Sequence, residues 1–281
     1  MTWLTQLLNT ALRFWEACGG LIWNLLTTPP SQFKGGIVWD VMVSINSVFQ
    51  YVAYALLILF FGISVAKETT NINELKRPEN VFRLFIRYAV AKAFITYNMY
   101  IMDAVYTIGA GIVRKITASS EWLYLYGGSD AELPSNIANQ ISNADLIDRI
   151  PLTIIVIIGF LVIIALSLVA LLAVYGRFFK IYIYTALAPI PIAAMSGEVT
   201  QNHGWQFVKS YVGICLEGAV IALACVIYTK MGDKATISPM FFAYSELGFV
   251  VAYIVEVIFN MLIMIGIMKS SNQIVREMTN L

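Results

Sequence analysis

The chain has 281 residues, of which 59% are hydrophobic and 12% charged, about half the charged share of an average soluble domain. Its 18 Lys and Arg against 17 Asp and Glu leave a formal net charge of +1, which excludes a global field that would gather nucleic acid. The three cysteines, Cys18, Cys215 and Cys225, lie in apolar surroundings with no disulfide framework and no metal-ligand spacing.

The first predicted element is an amphipathic helix. At 100° per residue, Thr2, Thr5, Gln6, Asn9, Thr10, Arg13 and Glu16 share one arc, and Leu4, Leu7, Leu8, Ala11, Phe14, Trp15, Cys18 and Ile22 fill the opposite face. Such a helix lies on a membrane surface or against a neighbouring subunit, with Trp3, Leu7, Leu8, Phe14 and Trp15 as its contact residues. One Arg and one Glu on the polar face, in place of a Lys-rich face, favour protein packing. Residues 1–20 show no basic stretch followed by an apolar core, so insertion is expected to rely on the spans themselves. Thr27-Thr28-Pro29-Pro30 ends the helix, and a linker runs to Gly35-Gly36.

Ile37 to Ala66 reads as one long helix, with Asp40, Ser44, Ser47, Tyr51 and Tyr54 as a polar stripe on its first half and a purely apolar second half. A charged loop around Lys76-Arg77-Pro78 leads into a helix predicted from Asn80 to Ile116. Its stretch 93–113 could cross a bilayer, with Lys92, Thr96 and Asp103 on a face that must meet protein or water. A polar loop then spans residues 114–150.

Leu152 to Tyr175 carries no charge over 24 residues. As a helix it is roughly 36 Å long, more than the hydrocarbon core of about 30 Å. Arg177-Phe178-Phe179-Lys180 closes it, in an aromatic and basic cluster of the kind found at membrane interfaces. The stretch 181–196 is broken by Pro189 and Pro191, which predicts either a bend buried among protein or a simple kinked helix. Tyr211 to Thr229 and Leu247 to Met268 read as further spans, holding Glu217 in the first and Glu256 and Asn260 in the second.

The expected fold is all-α: a polytopic membrane protein of five transmembrane helices, or six, plus the N-terminal amphipathic helix. In sequence order it divides into the amphipathic helix and linker (1–35), two membrane helices with a basic loop (36–113), an extracytoplasmic loop (114–150) and a C-terminal bundle (151–281). Five crossings with the N-terminus outside and the C-terminus cytoplasmic place Lys67, Lys76, Arg77, Arg83, Arg177, Lys180, Lys209, Lys269 and Arg276 inside, nine basic residues against seven outside. Six crossings put eight on each side.

No catalytic or metal constellation stands out. His203 is the single histidine and the paired glycines lack a phosphate-loop context, so no enzyme activity and no cofactor are expected. The sharpest chemistry is one acid in each of three spans, Asp103, Glu217 and Glu256. Intramembrane carboxylates are costly, and three readings are open: inter-helix contacts, a hydrated path, or proton coupling.

Lys76-Arg77-Pro78-Glu79-Asn80 before Phe82-Arg83-Leu84-Phe85-Ile86-Arg87, Gly176-Arg177-Phe178-Phe179-Lys180 before Ala186-Leu187-Ala188-Pro189-Ile190-Pro191, and Gly204-Trp205 before the next span carry a resemblance. The chain resembles the TrbL-like polytopic membrane subunits of type IV secretion and conjugation machines, in the short form of Gram-positive conjugative elements. The resemblance implies an inner-membrane channel or scaffold subunit for single-stranded DNA and attached protein. Its implied partners are other secretion subunits, separate secretion and coupling ATPases, the lipid bilayer, further copies of itself and, transiently, the transferred DNA. Arg177, Pro189 and Pro191 would lie in the shared Arg…Ala-Pro region, and a structural or gating role is expected for the acids. A proton-coupled secondary transporter and a purely structural scaffold are the rival readings.

Overall fold

The computed structural model describes residues 2–69, 78–118, 133–143, 149–231 and 246–279. These residues are almost all helical, with no strand among them. In chain order the helices are α1 (Thr2–Thr27), α2 (Ile37–Thr69), α3 (Pro78–Thr96), α4 (Asn98–Ala118), α5 (Ser135–Asn143), α6 (Arg149–Leu187), the short α7 (Pro189–Ala193), α8 (Gln201–Met231) and α9 (Glu246–Thr279). Lys76 and Arg77 of the basic loop lie outside the described residues, as does most of loop 114–150.

Four of the described helices are long and apolar enough to cross a bilayer: Phe33–Lys67, Arg149–Leu187, Gln201–Tyr228 and Gly248–Met278. The chain is a multi-pass, all-α membrane protein. The expected span 93–113 is not among the four. The continuous helix predicted over 80–116 is divided at Tyr97, because the side chain of buried Asn98 donates to the Ile95 carbonyl at 2.6 Å. Gln50 of α2 reaches the same oxygen at 3.4 Å. A side chain that takes a helix carbonyl competes with the backbone ladder and bends it.

Contacts divide the chain into two units, each drawn from three stretches. The first comprises Met1–Thr27, Ile112–Gly176 and Ala219–Ser271. In it α1 turns Leu4, Leu8, Ala11, Trp15, Cys18 and Ile22 inward. The Asn9 side chain accepts a hydrogen bond from the Leu133 amide at 2.9 Å, and the Trp15 ring meets the Tyr228 ring edge-on at 5.8 Å. Burial pushes the Cys18 thiol above its ordinary range, which keeps it a protonated small hydrophobe.

The second unit comprises Thr28–Gly111, Arg177–Gly218 and Asn272–Leu281. Its core gathers Ala53 and Leu57 of α2, Ala91 and Ile95 of α3, Met102 and Tyr106 of α4, Ile181 of α6, Ile192 of α7 and Tyr211 of α8. The linker after α1 is anchored at two points: Tyr106 Oη donates to the Thr28 carbonyl (3.0 Å) and Tyr182 Oη to the Pro30 carbonyl (2.9 Å). Lys34, Gly35 and Gly36 then turn the chain into α2 with φ of 49°, 72° and 83°, a region glycine enters at no steric cost.

The polar stripe of α2 mostly faces away from this core. Ser44 and Ser47 bond back to carbonyls of their own helix, and Tyr51 is exposed. The face that α2 does bury carries Asn46, Ala53, Leu57 and Ser64.

Candidate functional site

The centre of the second unit is a proline break sealed by side chains from other helices. In a continuous helix the amide of residue 189 would bond the carbonyl of Thr185; Pro189 has no amide hydrogen, so that carbonyl loses its donor. Ala188 nonetheless stays helical, at φ −49° and ψ −39°. Asn46 of α2 supplies the missing donor: its Nδ2 gives hydrogen bonds to the Thr185 carbonyl and to Asn98 Oδ1, both at 2.8 Å, with the Ala186 carbonyl at 3.4 Å. Asn46, Asn98 and Thr185 are all buried. The seam continues through Thr185 Oγ1, 3.4 Å from Tyr211 Oη, which donates to the Met102 carbonyl at 3.0 Å.

After the break the chain reverses. Tyr184 stacks on Phe207 with ring centroids 5.5 Å apart. Gly204 packs so closely on the bend that a Cβ there would lie 2.9 Å from the Pro191 carbonyl and would overlap the Met195 side chain. Gly204→Val is therefore expected to overpack the bend and cost about 1–3 kcal/mol, read as reduced abundance and a lower melting temperature in detergent. Unchanged melting would show that the bend has room to spare.

Arg177 lies about two turns before Thr185 and is 1% exposed. Its Nε donates to the Ile214 carbonyl (3.2 Å) and its Nη2 to the Cys215 carbonyl (3.1 Å). The guanidinium carbon stands 5.8 Å from the centre of the Tyr106 ring. It occupies the space that a side chain at residue 218 would need: a Cβ on Gly218 would fall 2.5 Å from it. Arg177 thus staples α6 to α8, and the glycine makes room for it. Its Nη1 is buried and makes no hydrogen bond.

The other residues singled out in the sequence are distributed over both units. In the second, Glu217 is buried with Oε1 3.7 Å from the half-exposed Lys180 Nζ. A basic group of the same unit therefore stands beside this acid. Asp103 is partly buried on α4, and its Oδ1 is enclosed without a hydrogen bond. Lys92 is exposed on α3; Pro189 is buried and Pro191 half-buried.

In the first unit, Glu256 and Asn260 are buried on α9. The Asn260 side chain lines a cavity of about 10 Å³ beside Tyr228 and Met264, roughly the room one water needs. Leu8 and Trp15 are buried, Leu7 and Phe14 half-buried and Trp3 exposed. Asp103 and Glu217 thus belong to one unit and Glu256 to the other. His203 is exposed, and no group of metal-binding side chains occurs among the described residues.

Residues 20–189, more than half of the chain, match the family model described as TrbL/VirB6 plasmid conjugal transfer like protein. The chain belongs to this family. No curated protein and no solved structure matches it. As a TrbL/VirB6-like chain it is a membrane subunit of conjugal transfer. The family match takes in Asn46, Lys92, Asn98, Asp103, Arg177, Lys180 and Thr185 and ends at Pro189. Sequence reasoning missed Asn46, Asn98, Thr185 and Tyr211. The signal for the first was an Asn one turn before Gln50 inside a span that needed neither.

Proposed function

We propose that this subunit helps to build the inner-membrane path through which a conjugative type IV secretion machine passes single-stranded DNA and its attached protein. It does so as one of several copies, with the N-terminus outside, the C-terminus cytoplasmic, and separate ATPases supplying the energy. The observation that carries the reading is the combination of family membership with a sealed interior. The polar seam around Asn46, Thr185 and Tyr211 is bonded within one chain, so it lines no passage of its own. Meanwhile only 17% of the α2 span is buried, leaving a long apolar surface for lipid or neighbouring subunits. A path is then lined between copies, and a membrane carboxylate such as Glu217 serves packing or gating, since acids along a DNA path would repel phosphate.

Asp103→Asn, Glu217→Gln and Glu256→Gln, each assayed for membrane abundance, assembly and mating frequency, test this role. Transfer should track assembly in all three. A loss of mating with assembly intact would instead give the acid a direct part in transport.

The same sealed interior favours a second reading, a scaffold that anchors other subunits and conducts nothing. Photocrosslinking from the exposed α2 positions Val48 and Ile58 during mating separates the two. Adducts with the transferred strand support the path, and adducts with protein alone support the scaffold.

A further inference from the structure

The polar face that carries Lys92, Thr96 and Asp103 in the sequence is divided in the folded chain. Asp103 is half-buried with Oδ1 enclosed, whereas Lys92 is exposed, and among the described residues no carboxylate pairs with its ammonium. Contacts between α3 and α2 fix the depth of this lysine. Thr96 Oγ1 is 2.9 Å from Tyr54 Oη, and the Tyr88 ring lies 4.8 Å from the ring of Phe61. Lys92 is midway between Tyr88 and Thr96, so it stands level with the stretch 55–61, which carries no polar side chain. At 1.5 Å per residue that level is about 15 Å from the Lys67 end of the α2 span.

A cation at such a depth is costly against lipid, and residues of this kind face water or a neighbouring chain. Lipid headgroups stand at the level of the span's ends, so Lys92 would have to snorkel about 15 Å to meet one. Its own face offers other groups. The Thr96 and Tyr54 hydroxyls meet at the surface beside it. Tyr51 precedes Tyr54 by three residues and follows Ser47 by four, so all three share one side of α2. The Tyr51 side chain is 76% exposed. Asp40, the acid of the same stripe, sits in the first turn of α2, about 21 Å from Tyr54 along the axis.

We infer that this α2–α3 face lines the DNA path, with Lys92 meeting a backbone phosphate of the single strand and Tyr51 offering a ring on which a base stacks. The inference rests on the reading of the subunit as part of that path, and it names the surface that does the lining. An ammonium is a point charge suited to phosphate, and the Thr96 and Tyr54 hydroxyls add donors for phosphate oxygens. Stacking of bases on an aromatic ring tolerates any sequence, as a path for a transferred strand requires. One lysine per chain is a weak attraction. Copies arranged about an axis along the membrane normal carry their Lys92 groups at one depth, so the lysines form a ring, the device that admits phosphate in anion pores. The inward placement of Asp103 keeps an acid off that ring.

The test uses the full-length chain in mating cells. A photocrosslinking amino acid replaces Tyr51 in one strain and Phe179, 61% exposed on α6, in another. Adducts with the transferred strand should form from position 51 and not from position 179. Lys92→Gln should lower mating by about tenfold, Lys92→Glu should lower it further, and Lys92→Arg should keep it. Membrane abundance and assembly should hold in all three, because removing a charge from this depth favours insertion. Strand adducts from position 51 should fall in step with mating. Native mating and native adducts in Lys92→Gln would overturn the assignment. So would a loss of mating that follows a loss of assembly, which would mark a pairing of Lys92 with a carboxylate of another protein. Strand adducts from position 179 and none from position 51 would also overturn it, while leaving a DNA path through the subunit in place. Adducts with protein alone at both positions, and at Val48 and Ile58, would remove the path reading as well.

Discussion

Arg177→Ala should be the most damaging single change in the second unit, costing about 3–5 kcal/mol of stability. It removes two charge-assisted hydrogen bonds, to the carbonyls of Ile214 and Cys215, and empties the space between Tyr106 and Gly218. The size of the loss depends on which of two effects wins. A buried guanidinium is expensive to desolvate, and Nη1 makes no hydrogen bond in return, so the charge itself contributes little net stability. The Ile214 and Cys215 carbonyls belong to α8 and fall back on its backbone ladder when the arginine leaves. Packing is therefore the larger part, and Arg177→Met, which fills most of the volume without charge, should recover at least half of the loss. Heat-dependent decay of the monodisperse peak in fluorescence-detected size-exclusion chromatography measures all three proteins. If Met proves as damaging as Ala, the charge-assisted bonds outweigh the packing.

Asn46→Ala is expected to cost about 1–3 kcal/mol, the penalty for leaving buried acceptors without a donor. The acceptors are the Thr185 carbonyl and Asn98 Oδ1. The effect is conditional on the proline. In a Pro189→Ala background the backbone amide returns and can bond the Thr185 carbonyl directly, so Asn46→Ala should cost about 1 kcal/mol less there. The four proteins form a double-mutant cycle, and a contact of this kind is read from the departure from additivity. Strict additivity would mean that Asn46 does not act as the substitute donor.

Much of the fold is legible in the sequence because its signals are long and periodic. The charge-free run from Leu152 to Tyr175 fixes α6, and the alternation of Leu4, Leu8, Trp15 and Ile22 with polar residues fixes the inward face of α1. The stretch 80–116 reads as one continuous helix because its break depends on a partner. Asn98 looks like any polar residue in a span until Gln50 and Asn46 of α2 are beside it. The same holds for the site. Arg177, Pro189 and Gly204 are visible as sequence landmarks, yet the groups that make them tolerable come from segments distant in the chain. Tyr106 faces the arginine and Asn46 reaches the break. The neighbours of Glu217 put it in a span, but its approach to Lys180 requires the reversal after Pro191 that sets α8 alongside α6. The grouping into two units, each assembled from three separated stretches, has no counterpart in local pattern.

The seal over the break also has a bearing on biogenesis. Asn46 and the carbonyl it covers are 139 residues apart in the chain. At 5–20 residues per second, the ribosome adds Thr185 roughly 7 to 28 s after Asn46. The donor is therefore made first and waits, while the segment around Pro189 enters the membrane with an unmet carbonyl until it docks on α2. Correct insertion of the first long helix thus becomes a checkpoint for the last part of the family region, and a chain whose α2 is misplaced carries an exposed polar break that quality-control proteases can reach.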